Sequence, residues 1–136
     1  MERHLLEHGI RPDLVLCSPA RRTVETLDRI SQAVEGVQVK IREWIYMGSV
    51  GTLRDHLSHL PDTVVSVLVI GHNPGLEGLA HQLMGPGDHD PSVDALRTKY
   101  PTGALATLEG PRIWSALTPD SCVLRAFVRP RELEHD

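Results

Sequence analysis

Aromatic residues make up only 4% of this 136-residue chain, and cysteine occurs twice. Two thiols cannot staple a loop-rich domain, so the core must come from aliphatic burial. Cys17 stands in an apolar run and reads as a small buried residue. No apolar run reaches the ~20 residues that cross a bilayer, and no signal-peptide pattern is present. The formal charge is −4, so there is no positive excess to suggest nucleic acid or an anionic membrane surface. P-loop, solenoid repeat and low-complexity tract are all missing. What remains is one cytoplasmic domain spanning 1–136, with 40% hydrophobic residues to build a core.

The most informative stretch is Val64-Val65-Ser66-Val67-Leu68-Val69-Ile70-Gly71-His72-Asn73-Pro74-Gly75. Its first seven residues predict a strand over 64–70 that is buried on both faces, as in a parallel sheet. Asn73 and Pro74 carry helix-start chemistry, an N-cap and a proline at the first helical position. Leu76, Leu79 and Leu83 follow at helical spacing, and Gly85-Pro86-Gly87 ends the pattern. His72 therefore lies between a strand's carboxyl end and a helix N-terminus, where open α/β sheets bind ligands and where an anion is favoured.

The rest of the chain alternates in the same manner. Residues 1–7 read as a helix closed by Gly9, and 14–17 as a short buried strand. Ser18-Pro19 repeats the grammar of Asn73-Pro74, and the helix after it carries Ala20, Val24, Leu27, Ile30 and Val34 on one face up to Gly36. A strand is expected over 37–41, ending near Glu43. Residues 44–47 are ambiguous. Gly48-Ser49 opens a helix with Val50, Leu53, Leu57 and Leu60 on one stripe. Beyond a polar loop at 85–92, a helical turn is expected at 94–97 and strands at 104–108, 113–117 and 123–128. The charged tail follows Pro130. Alternation of this kind predicts α/β with a mainly parallel sheet and antiparallel strands late.

Arg21 and Arg22 stand in the first turn of the second helix, where cations oppose the helix dipole. Two solvated arginines, or arginines whose cost is offset by a bound anion, explain this equally well from spacing alone. His72 on a second strand–turn–helix unit favours phosphate. Glu43, after a third strand, falls on the same edge if the strands are parallel. Histidine, arginine and carboxylate together could bind a phosphate, stabilise transferring charge and donate a proton.

Competing signals are weaker. Gly71-His72-Asn73-Pro74-Gly75 has the frame of a nucleophile elbow, but asparagine stands where serine must be. Gly71, Gly75 and Gly78 faintly suggest a dinucleotide loop, which makes a nucleotide-binding domain a low-weight alternative. His56 with His59, and Asp88-His89-Asp90, have no partners at metal-ligand spacing and read as solvated surface.

Leu14-Val15-Leu16-Cys17-Ser18-Pro19-Ala20-Arg21-Arg22-Thr23-Val24-Glu25-Thr26 resembles the "VLxSPxxRAxQT" segment of the histidine phosphatase superfamily, the phosphoglycerate-mutase-like proteins. Val67-Leu68-Val69-Ile70-Gly71-His72-Asn73-Pro74 is similar to that superfamily's second-histidine segment, "VLVVxHxP". Small size and Tyr100-Pro101-Thr102-Gly103-Ala104 leading into a strand are most similar to the SixA-type phosphohistidine phosphatase branch. The resemblance implies a three-layer α/β fold with a mainly parallel sheet flanked by helices. It implies a phosphohistidine or phosphomonoester phosphatase working through a phosphohistidine intermediate, with no metal and no cofactor. The implied partner is a phosphorylated small molecule or a phosphohistidine protein.

By position, Arg22 matches the phosphoryl-binding arginine, and His72 matches the second active-site histidine. Arg21 falls on a variable position. Ser18 and Asn73 join the implied phosphate-binding set, and Glu43 lies near the place of a proton donor. The family's nucleophile belongs to an "RHG" motif on a first strand that has no counterpart in this sequence. Arg3-His4 is followed by Leu5 and falls in the first helix, so His4 reads as a helix-surface residue. The expectation is an N-terminally truncated domain with its first strand missing. A catalytically dead pseudophosphatase that binds phosphate or a phosphoprotein is the alternative.

Overall fold

The computed structural model describes residues 1–84 and 103–129. In chain order these form α1 (Glu2–Glu7), β1 (Leu14–Cys17), α2 (Arg21–Arg29), β2 (Gln38–Ile41), α3 (Trp44–Met47), α4 (Val50–Ser58), β3 (Val67–Ile70), α5 (Gly75–Met84), β4 (Leu105–Glu109), a 3₁₀ turn at Trp114–Ala116, and β5 (Val123–Val128). The expected loop at 85–92, helical turn at 94–97 and tail lie outside the described residues.

β1, β2 and β3 form a parallel sheet in the order β2-β1-β3. Side chains alternate across a strand, so the four residues of β1 serve two cores. Leu14 and Leu16 pack with Ile45, Leu53, Leu57, Leu79 and Leu83 from α3, α4 and α5. Val15 and Cys17 pack with Leu5 of α1 and with Ile30, Ala33 and Val34 after α2. Helices thus cover both faces of the sheet, giving three layers. β1, covered on both faces and paired on both edges, is buried throughout.

This makes β1, and not the strand expected over 64–70, the one buried on both faces. β3 is shorter than expected and only half-buried before Ile70. Among the described residues it pairs with β1 alone. Val65 is 82% exposed, and the N–H groups of Val65 and Ser66 bond the Asp13 carboxylate at 2.8 and 3.2 Å instead of a ladder. β4 and β5 form a separate antiparallel pair. Leu105 of β4 nevertheless shares a core with Ile70, which sets the pair beside the parallel sheet.

Two further expectations are corrected. α2 ends at Arg29 and not near Gly36, because 30–36 fold into turns that still bury Ile30, Ala33 and Val34. Gly36 does close the segment, at φ +80°. Residues 113–117 hold a 3₁₀ turn and no strand. The Trp114 indole donates to the Val64 carbonyl at 2.7 Å and fixes that turn against the sheet.

Candidate functional site

Because β1, β2 and β3 are parallel, their carboxyl ends share one edge. Cys17 stands opposite Ile41 on one side and Ile70 on the other. The ladder runs one residue further each way: Ser18 N–H donates to the Ile70 carbonyl, and Arg42 N–H to the Cys17 carbonyl, both at 3.0 Å. Ser18, the Arg42-Glu43 pair and the Gly71-His72 pair are therefore neighbours on this edge.

Ser18 is fully buried. Its Oγ accepts from Ala20 N–H at 3.2 Å. α2 begins at Arg21 with Ala20 at the cap, so Ser18 is not the N-cap that the Ser-Pro pair suggested. It forms a tight turn before the helix. Thr23 locks that turn, its hydroxyl reaching the carbonyls of Ser18 at 2.9 Å and Ala20 at 2.8 Å.

His72 leaves β3 through Gly71 and is half-buried. Its Nε2 meets Ser18 Oγ at 2.8 Å, a contact across 54 residues of sequence. The Tyr46 ring lies at right angles to the imidazole, with centroids 5.5 Å apart. His72 Nδ1 has no hydrogen-bond partner among the described residues. The His72 carbonyl accepts from Leu76 N–H at 2.9 Å and fixes the backbone. α5 starts at Gly75, so Asn73 stands before its cap position rather than on it.

The two arginines differ. Arg21 points into water, with its side chain 91% exposed, and pairs with Glu25 one turn on at 3.0 Å. Arg22 is exposed, and its guanidinium has no hydrogen bond or ion pair among the described residues. It lies four residues after Ser18, on the helix turn that Thr23 ties down. Glu43 is exposed, directly precedes α3, and has no side-chain partner among the described residues. The structure thus joins Ser18 and His72 directly. It sets Glu43 on their edge and Arg22 on the adjoining helix turn, with no bond between these and the pair.

Tyr46 and Thr23 were not singled out from the sequence. Tyr46 depends on how α3 docks, which no local pattern records. Thr23 lies inside the quoted motif, five residues after Ser18, and could have been found as a polar residue on the buried face of a helix. The glycines that hinted at a dinucleotide loop are packing sites. A Cβ on Gly71 would stand 2.8 Å from Ile45 Cγ2, and one on Gly78 would stand 2.7 Å from Val50 Cγ2. His56 stacks on Trp44 at 4.2 Å, and His59 Nδ1 contacts the Asp55 carbonyl. The Asp88-His89-Asp90 cluster lies outside the described residues. Among those residues, no helix is long and apolar enough to cross a membrane.

No family model matches the chain. An uncharacterised protein of Mycobacterium leprae is 31% identical over 119 residues, covering 86% of this chain and 71% of the relative. One from Mycobacterium tuberculosis is 32% identical over 122 residues, covering 88% and 74%. Among solved structures, a candidate phosphohistidine phosphatase SixA from Nakamurella multipartitia superposes with TM-score 0.80 at 26% identity, covering 94% of this chain and 76% of the other. Its counterpart from Agrobacterium tumefaciens gives 0.76 at 26%, covering 95% and 75%. A protein histidine phosphatase SixA complexed with tungstate shares the fold, at TM-score 0.74 and 24% identity, covering 97% and 78%. With the parallel sheet, the strand-end histidine and the Ser-Pro turn in place, this chain belongs to the histidine phosphatase superfamily, in its SixA-type branch.

Proposed function

We propose that this chain carries the phosphoryl-binding face of a phosphohistidine or phosphomonoester phosphatase. In this reading His72 and Arg22 hold the phosphoryl oxygens. Asn73 and the turn at Ser18 shape the same pocket, and Glu43 is the proton donor. The reaction passes the phosphoryl group to a nucleophilic histidine and then to water. The observation that carries the reading is His72, bonded to buried Ser18 at a shared strand edge, with the Arg22 guanidinium, unpaired among the described residues, on the next helix turn. Guanidinium and a ring N–H are donors suited to an oxyanion in a partly desolvated site. The substrate class follows the solved relatives, candidate phosphohistidine phosphatases.

A second reading is a binding module without turnover. It is favoured by one observation: none of the eight histidines stands in an Arg-His-Gly triplet.

Tungstate titration by calorimetry tests the shared part of both readings. His72→Ala and Arg22→Ala should each weaken binding roughly tenfold or more, as loss of a charge-assisted or buried bond does. Arg21→Ala should leave it nearly unchanged, because its guanidinium is already engaged by Glu25. Equal losses from both arginines would refute the motif register. Hydrolysis of phosphoramidate or a phosphohistidine protein then separates the readings, since the binding module releases no phosphate.

A further inference from the structure

The His72–Ser18 contact raises a question of proton ownership. A serine hydroxyl has one proton to donate and two lone pairs, while a neutral imidazole has one donor and one acceptor nitrogen. Ser18 Oγ has two partners, Ala20 N–H at 3.2 Å and His72 Nε2 at 2.8 Å. Ala20 N–H can only donate, which uses one lone pair of the hydroxyl. If His72 also donated from Nε2, Ser18 would accept twice, and its own proton would have no acceptor in a site closed to solvent. A buried unsatisfied donor of this kind is strongly disfavoured. If Ser18 donates to Nε2, its hydroxyl both accepts and donates, and the imidazole proton sits on Nδ1. Nδ1 is the nitrogen with no partner among the described residues, on a half-buried ring. The Tyr46 ring stands edge-on to the imidazole, with centroids 5.5 Å apart.

We infer that Ser18 is a positioning residue which holds His72 as the Nδ1–H tautomer, so that Nδ1–H is the donor offered to the anion. Ser18 itself, buried at the Nε2 edge of the ring, acts through His72 and does not touch the ligand. This departs from its expected place among the phosphate ligands. It rests on the reading that His72 faces an oxyanion, and it names the atom by which it does so.

The tautomer is measurable without any ligand. In ¹⁵N-histidine-labelled protein at pH about 8, above the ordinary histidine range, His72 should show a pyrrole-type Nδ1 and a pyridine-type Nε2. Ser18→Ala removes the donor to Nε2. The proton should then redistribute towards Nε2, and tungstate affinity should fall about tenfold, the usual scale for one well-placed hydrogen bond. Thr23→Val loosens the same turn while leaving Ser18 Oγ in place. It should lower Tm without moving the tautomer. A wild-type His72 protonated on Nε2 overturns the inference even if Ser18→Ala fails to fold. So does a folded Ser18→Ala that keeps both tautomer and affinity. If wild type binds no tungstate, the proposed function fails, and the wild-type spectrum still decides the tautomer.

Discussion

Replacing Gly71 with alanine tests how the site is built. Gly71 does not use a left-handed backbone, so its need for hydrogen in place of a side chain is steric. The new Cβ would stand 2.8 Å from Ile45 Cγ2, with both Leu76 δ-carbons at 3.5 Å. Carbon contacts are favourable at about 3.5–4.0 Å, so the methyl enters roughly 0.7 Å too deep. Ile45 cannot retreat. It is 3% exposed, branched at Cβ, and wedged among Leu14, Leu16 and Leu53. Overpacking of this kind costs about 1–3 kcal/mol. Alanine's stiffer unfolded chain returns about 0.4–1 kcal/mol, leaving a net loss of up to about 2.5 kcal/mol and of about 1 kcal/mol at mid-range. Urea unfolding measures it. Ile45→Ala removes the clashing Cγ2, whereas Ile45→Val keeps it, so only the alanine variant should show favourable coupling with Gly71→Ala. Gly51→Ala is the reference. Gly51 lies inside α4, its nearest obstacle is Ser49 Oγ at 3.9 Å, and the change should stabilise by about 0.5–1 kcal/mol. Gly71→Ala as stable as wild type, with additive behaviour beside Ile45→Ala, would show that the α3–β3 contact is looser than described.

Two other perturbations address stability. Asp13 clamps the chain ahead of β3 by accepting from Val65 N–H and Ser66 N–H, so Asp13→Ala should cost about 1 kcal/mol, at the low end for bonds to a carboxylate because the group is exposed; Asp13→Asn should recover part of it, and an unchanged urea midpoint would refute the clamp. Burial raises the thiol pKa of Cys17 and of Cys122 above the ordinary 9.0. The unfolded chain therefore loses these protons first, so stability is complete below that value and falls as pH rises through the raised folded values. Near neutral pH neither thiol should react with Ellman's reagent until the protein unfolds, and prompt labelling of the native protein would contradict the burial.

Much of the fold was legible because local patterns and tertiary demands agreed. β1 and β5 span 14–17 and 123–128 as their apolar runs indicate, and Ser49 caps α4 through Thr52 N–H at 3.2 Å. The misreadings occur where an apolar pattern had more than one way to be buried. Ile30, Ala33 and Val34 recur at helical spacing, yet turns bury them as well as a helix would. Val64 and Val65 look like strand, but Asp13 takes the amides of Val65 and Ser66 and ends the ladder at Val67. The β-prone residues at 113–117 become a 3₁₀ turn because the Trp114 indole finds the Val64 carbonyl. In each case a contact between distant segments decided, and spacing cannot encode it.

The site divides along the same line. The place of His72 at a strand end was readable from local sequence, whereas the Ser-Pro pair read as a helix cap and folds as the turn before α2. The difference between the arginines was not readable from spacing: Glu25 lies four residues after Arg21 and three after Arg22, and a helix pairs charges at both distances. What joins these pieces was not readable. Gly71 looked like the stop signal of a strand, or the first glycine of a nucleotide loop. Its role follows from the space it leaves. Ile45 Cγ2 sits where a Cβ would stand, so α3 approaches the end of β3 closely enough for the next residue, Tyr46, to set its ring against His72. The orientation of the site histidine thus depends on a missing methyl on one neighbour and a buried hydroxyl on another, Ser18, 54 residues away in sequence.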